Sequence, residues 1–400
     1  MISEINLFSF RRFIAYGAAV FIFVPGVRIF AESNTVLNSV YLFFLSFLLC
    51  FISMPFLIRL GERLRLVDCP DEERKRHKRP TPLTGGIAIY CAFVGTMLLN
   101  FHFSVEVKAI LISSTFIFLV GLADDRWGTS AAMRLIVQVG AALFLALYGV
   151  RMTFVPVWLG GIYVEVVITV IWIIGITNSM NFIDGMDGLA SGSSIIYSLF
   201  FAIIGIITKQ YYMLFLTIAI AGSCMGFFLH NFRKNKPALV FLGDSGSTFL
   251  GFLLASFAIL GTWGPSIVDI VIPILIMSVL IFDMSLTTIV RIYTKEVRNF
   301  SQWLHYTGRD HFHHRLEGLG ISKNQATGLF FAFSICFGIE ALAILFASVL
   351  VSILILVHTI LTFIIIGTIL VVRNKKTDTN PKTQHLHIER LEYAQSKELV

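Results

Sequence analysis

Unbroken apolar runs of about twenty residues recur along this chain, the length a helix needs to cross the hydrocarbon core of a bilayer. "VVITVIWIIGIT", residues 166–177, lies in one of them. Backbone inside lipid must satisfy its own hydrogen bonds, so only helices or a closed barrel remain. A barrel needs short alternating segments, and these runs do not alternate. The 400 residues are 56% hydrophobic and 14% charged, which excludes an ordinary soluble domain. The sequence therefore predicts an all-α, polytopic membrane helix bundle of about 11–12 transmembrane helices.

Hydropathy places the helices near residues 13–30, 39–60, 84–101, 107–123, 131–150, 165–182, 192–207, 211–230, 245–261, 267–292, 327–346 and 350–372. Residues 1–38 then hold an extra N-terminal helix, 39–372 the main membrane domain, and 373–400 a polar, flexible or surface-lying tail. Arg11 and Arg12 before an apolar stretch resemble an export signal, but no small-residue cleavage site follows, so a retained helix is the reading. Five cysteines without a CxxC, four of them inside apolar runs, read as packing residues rather than disulfides.

Alternate loops divide the net charge of +7 unequally. "RKRHKR" (Arg74 to Arg79) and "RKNK" (Arg233 to Lys236) fall on one side, and Arg151 and Lys209 on the other. The positive-inside rule puts the basic side in the cytoplasm, as for a bacterial inner-membrane protein, and the charge reports orientation rather than nucleic acid. Nearly every polar motif falls on that same side, at helix ends. A transporter would instead carry polar groups near the midplane, on broken helices.

Six motifs could carry chemistry. "GLADDRWG" brings Asp124 and Asp125 together, a pair that repel unless a cation or a proton is shared; alone they could be solvated loop acids. In "NSMNFIDGMDGLASG", Asn178, Asn181, Asp184 and Asp187 recur every three residues and suit a hard cation such as Mg²⁺. The bland alternative is a capped helix end. "FLGDSGSTFLGF" puts Asp244 at a helix N-terminus whose free N–H groups could hold phosphate, with Asp244 a cap, a metal ligand or both. Its "GDSG" matches chymotrypsin-like proteases only in spelling.

"GRDHFHHRLEGLG" supplies Arg309, His311, His313, His314 and Arg315. A partial zinc site is conceivable, but no cysteine partner is near and the arginines favour an anion clamp. Asp283, inside an apolar helix, is either functional or paired to a neighbouring helix. In "RPTPLTGGIAIY", Gly85 and Gly86 would let a flat ligand lie against the backbone, though the motif is also ordinary loop-to-helix punctuation. Together these suggest metal-assisted phosphoryl transfer from a soluble, phosphate-bearing donor to an acceptor in the bilayer. The absence of GxxxxGK[ST] disfavours ATP.

The ordered set "TPLTGG", "GLADD", "NSMNFIDGMDGL", "FLGDSGS" and "HFHHRL" resembles the polyprenyl-phosphate N-acetylhexosamine-1-phosphate transferases, over residues 39–372. The resemblance implies transfer of a sugar phosphate, GlcNAc-1-phosphate above all, from a UDP-N-acetylhexosamine to undecaprenyl phosphate, with release of UMP. It implies Mg²⁺ (or Mn²⁺) as cofactor and a role in lipid-linked envelope polysaccharides such as O-antigen, enterobacterial antigen or teichoic acid linkage; homodimers occur in the wider family, and no feature of this sequence decides the oligomeric state. By position it implies catalysis by Asp124 and Asp125, with Asp244 and Asn181 on the metal and diphosphate. Asp187 would recognise uracil, His311, His313 and His314 would contact the donor's phosphate and sugar with His311 as a catalytic residue, Asp184 and Arg309 would join them in binding substrate, and Arg134 would lie near the diphosphate. A base role for Asp124 or Asp125 is expected rather than a covalent one. "HFHH" differs from the three consecutive histidines usual in the phospho-MurNAc-pentapeptide branch, which is the alternative. Readings from other classes are an anion transporter, for which no inverted repeat is evident, and a CDP-alcohol enzyme, for which "DGMDGLAS" lacks the required arginine.

Overall fold

The computed structural model describes residues 25–69, 80–100, 103–233, 236–263, 270–299, 302 and 311–378, with side chains at 25–26, 313 and 373–378 left aside. The helices are α1 Pro25–Glu32, α2 Thr35–Leu64, α3 Gly85–Asn100, α4 Val105–Trp127, α5 Ala131–Leu147, α6 Ile162–Ile183 and α7 Leu189–Ile207. They continue with α8 Tyr211–Asn231, α9 Gly243–Leu260, α10 Val271–Ile276, α11 Ser278–Tyr293, α12 Phe312–Gly318, α13 Lys323–Ile344 and α14 Val349–Asp378. Two-residue strands, β1 (Val67–Asp68) and β2 (Thr81–Pro82), pair antiparallel. Among the described residues eight helices are long and apolar enough to cross a membrane, and two shorter apolar ones, α3 and α5, accompany them. The chain is a polytopic helical membrane protein.

Local sequence sets the helix starts. Asn34 accepts from Val36 N and Leu37 N at 2.8 and 3.3 Å to open α2, and Ser130 caps α5 through Met133 N at 3.2 Å. Ser322 and Gln325 form a capping box on α13. Most of the predicted helix 13–30 lies outside the described residues; its end is the short α1. Two expectations need correction. The single helix over 267–292 is two, broken at Met277, whose backbone (φ −102, ψ 15) leaves the helical region. The last helix does not stop at 372 but runs to Asp378, into what reads as tail.

Helix α9 is the most buried of the long apolar helices, packed against α4 and α6. Small residues allow the approach. A Cβ on Gly121 of α4 would fall 2.6 Å from Ser245 Cα, and one on Gly251 of α9 would fall 2.8 Å from Thr177 Cα on α6. The ends of α4 and α6 and the start of α9 are thereby brought to one place, at one end of the bundle.

Candidate active site

The centre of that place is Asp244, in the first turn of α9. Asn181, on the last turn of α6, donates through Nδ2 to Asp244 Oδ1 at 2.6 Å and to Ser247 Oγ at 2.9 Å. Arg134 of α5 places one nitrogen, Nη1, 2.6 Å from Asp124 Oδ2 and 3.2 Å from Asp244 Oδ2. Thr129 also donates to Asp124, from its N–H and from Oγ1 at 2.7 Å. One arginine thus joins acids 120 positions apart, as the spacing of 124 and 244 requires.

Asp125 has a different task. Its Oδ1 accepts from Asp244 N at 2.7 Å, and its Oδ2 from Ser245 N at 3.1 Å. It caps α9 from another helix, filling the terminus with a carboxylate where the dipole favours one. This corrects two expectations. The N–H groups of Asp244 and Ser245 are not free for phosphate, and Asp244 is not the cap. Gly243 is needed for this arrangement, with φ +76 and the place of its missing Cβ 2.6 Å from Asp125 Oδ2.

Asp184 follows α6 directly and is half-buried. Burial, then the charges of Asp244, Asp125 and Asp187, push its carboxyl well above the usual carboxylate range. Asp187 is exposed on the same short loop. The loop is tied down by Asn231, whose Oδ1 accepts from Gly188 N at 2.5 Å and whose Nδ2 donates to Val240 O at 2.8 Å.

His311 is 5% exposed. Its Nδ1 stands 2.9 Å from Asp283 Oδ2, and its ring stacks on Phe182 at 4.9 Å, next to the Asn181–Asp184 turn. Asp283 also accepts from Phe312 N at 2.5 Å. The intramembrane acid is therefore a pairing residue that orients the histidine loop. His314 lies 3.9 Å from Glu317. Arg309 and the side chain of His313 fall outside the described residues.

Gly85 and Gly86 are reassigned. A Cβ on Gly85 would fall 2.6 Å from Phe241 O, and one on Gly86 2.6 Å from Ser245 Oγ. The protein itself fills the space expected to face a flat ligand. Their N–H groups donate to Phe241 O and Leu242 O at 3.0 and 2.9 Å, steering the segment that delivers Asp244.

Several site residues escape the motifs. Gln138 accepts from Asn178 Nδ2 at 2.8 Å, and Thr129 and Asn231 act as above, while Ser247 and Phe182 stand inside quoted motifs without having been singled out. Asn231, a polar residue closing an apolar helix, and Gln138, a polar residue inside one, carried a signal of their own.

The donor set suits a hard cation: carboxylates and amides crowd one spot, and Arg134 is the cation bonded to two of them. Among the described residues no three His, Cys, Asp or Glu side chains converge at metal-binding distance. A cation here would rest on Asp244 and Asn181 and take its other oxygens from substrate and water, the usual manner of Mg²⁺.

Comparison with known proteins gives the family. Residues 107–262 match the model of glycosyl transferase family 4. A Bacillus subtilis protein named probable undecaprenyl-phosphate N-acetylglucosaminyl 1-phosphate transferase is 32% identical over 343 residues, 84% of this chain and 92% of that one. A Mycobacterium tuberculosis decaprenyl-phosphate N-acetylglucosaminephosphotransferase is 33% identical over 221 residues, covering 49% and 54%. A phospho-N-acetylmuramoyl-pentapeptide-transferase of Caldicellulosiruptor bescii is 30% identical over 346 residues, covering 77% and 98%. The protein is a membrane-embedded sugar-phosphate transferase. It belongs to glycosyl transferase family 4, among the polyprenyl-phosphate N-acetylhexosamine-1-phosphate transferases.

Proposed function

We propose that this enzyme transfers GlcNAc-1-phosphate from UDP-GlcNAc to undecaprenyl phosphate, on the cytoplasmic face of a bacterial inner membrane. The observation that carries the reading is the cluster in which Arg134 bridges Asp124 and Asp244 while Asn181 holds Asp244. It stands at helix ends that the positive-inside rule assigns to the cytoplasmic side, where a lipid acceptor and a soluble donor can meet. The Bacillus subtilis and mycobacterial relatives, both named for N-acetylglucosamine, support the choice of sugar.

A phosphate oxygen of the acceptor attacks the sugar-bearing phosphorus of the donor. The bond from that phosphorus to the bridging oxygen breaks, and UMP leaves with the electron pair. Anion meets anion, so positive charge must be placed beforehand. Arg134 supplies one charge and the His311 loop can donate to the donor's phosphates. When bound, Mg²⁺ or Mn²⁺ would neutralise the diphosphate, held by Asp244 and Asn181. Asp125 positions Asp244 by fixing its backbone. Asp124, held by Arg134 and Thr129, faces the acceptor's attack as base or charge partner, while Asp187 on its exposed loop meets the uracil.

The test is label transfer in detergent. Undecaprenyl phosphate is mixed in parallel with UDP-GlcNAc, UDP-GalNAc and UDP-MurNAc-pentapeptide, with EDTA and Asp244→Asn as controls. Transfer from UDP-GlcNAc alone, lost in both controls, is expected. Transfer from the pentapeptide donor would move the enzyme to the other branch. No transfer by folded protein would overturn the reading.

A further inference from the structure

Two segments flank the place proposed for the donor, and each runs into a long helix. The loop of Asp184 and Asp187 ends at Gly188, where α7 starts, and Gly192 N donates back to Gly188 O at 2.8 Å. The segment of His311 passes through α12 toward α13. Phe312, next to His311, lies on α13, with its ring 6.2 Å from that of Phe330 and 6.5 Å from that of Phe333. The place of each segment is therefore set by the helix to which it is fastened.

Helices α7 and α13 meet along a seam. The ring of Phe331 occupies the place that a Cβ on Gly192 would take. Tyr197 Oη and Ser334 Oγ, both buried, share a hydrogen bond at 3.3 Å. The ring of Phe200 occupies the place that a Cβ on Gly338 would take. The partners rise together, 192 with 331, 197 with 334 and 200 with 338, so the two helices run parallel from the site end. The glycine seats face opposite ways: the first receives a ring from α13, the second a ring from α7. Neither helix can slide along the other without lifting a ring from its seat, and an interior packed this closely resists the shift. The hydroxyl pair between the seats opposes rotation, because a buried hydroxyl that loses its partner is costly.

We infer that this seam is the spacing element of the donor site, in which Phe331, Tyr197, Ser334 and Gly338 are positioning residues that hold the Asp187 loop at a fixed distance from the histidine segment. The inference rests on the reading proposed above, with uracil at Asp187 and the donor's phosphate and sugar at the histidines. A ligand with two ends gains from both contacts only where their separation matches its own length. A ligand with one end is indifferent to that separation. Phe182 ties His311 to the turn before Asp187, and the seam ties the histidine segment to the helix after it, so the loop is bracketed.

Equilibrium binding of UDP-GlcNAc and of UMP to full-length protein in detergent with Mg²⁺, read by calorimetry, tests this. UMP keeps the uracil and lacks the sugar and its phosphate. Gly338→Ala presses a methyl group on Phe200 about 22 Å along α13 from Lys323, far from both segments. Affinity for UDP-GlcNAc is expected to fall about tenfold, and that for UMP to stay within about twofold. Adding Phe200→Leu makes room for the methyl group and should restore the donor. Phe331→Leu and Tyr197→Phe add no bulk, so they carry the same expectation if Gly338→Ala does not fold. Equal losses of both nucleotides in folded variants would make the seam ordinary packing and overturn the inference. So would unchanged affinity for both. A wild type that binds neither nucleotide would overturn the reading of the donor, and with it the inference built on it.

Discussion

The amide nitrogen of Asp244 donates to Oδ1 of Asp125 at 2.7 Å, so the acid at the centre of the site is held in place by an acid on another helix. Removing that cap leaves the N–H groups of Asp244 and Ser245 without their partner. Asp125→Ala is expected to lower stability by about 1 kcal/mol, the ordinary worth of an N-cap, and to reduce turnover far more than that. Asp125→Asn keeps one acceptor oxygen and should melt closer to wild type. Thermal melts and transfer rates on both variants check this. Full activity in Asp125→Ala would show that the cap does not position Asp244.

Gly243→Ala tests the same contact from the other side. Its Cβ would press on the Asp125 carboxylate, and φ +76 disfavours any side chain. Activity is expected to fall at least as far as in Asp125→Asn, with the double variant no worse than Gly243→Ala alone. Such non-additivity is the mark of two residues acting through one contact, and a double-mutant cycle measures it. Additive losses would separate them.

The histidine loop rests on Asp283. The carboxylate holds Nδ1 of the ring and the stack on Phe182 fixes its plane, so Asp283 sets how His311 is presented. Asp283→Asn presents an amide where a carboxylate fixed the tautomer. The expected result is a fall in kcat of about 100-fold, the scale of a displaced acid–base group, with a smaller change in the KM for the lipid acceptor. A KM effect alone would make Asp283 a packing residue.

The bundle was legible because lipid leaves a chain few choices, and long apolar runs show in any window. The ordered acids were legible too, since Asp124, Asn181 and Asp244 stand at helix ends where nothing apolar explains them. What sequence could not show was the division of labour. Asp124 and Asp125 are neighbours, yet one meets Arg134 and the other caps α9, and only the crossing of α4 over α9 decides which. Gly85 and Gly86 misled for a related reason. A glycine pair signals close approach, but not whether a ligand or another helix approaches. The break at Met277 was hidden because an apolar run reads the same whether its helix is continuous or not.

Asp184 gives the site a pH dependence with a definite sign. Its carboxyl titrates well above the usual range, because burial and the charges of Asp244, Asp125 and Asp187 all oppose ionisation. The folded protein therefore holds a proton that the unfolded chain has released. Stability contributed by that proton falls as pH rises from the ordinary carboxylate pKa toward the raised one. Cation-free protein is expected to melt higher at mildly acidic than at neutral pH, and Asp184→Asn to reduce the difference. Mg²⁺ competes with protons for the same crowd of acids, so its stabilising effect should be greater at neutral than at mildly acidic pH. Melting curves at the two pH values, with Mg²⁺ and with EDTA, read both effects. A Mg²⁺ shift that is larger in acid would mean that the cation binds elsewhere than at Asp244 and Asn181, beside Asp184.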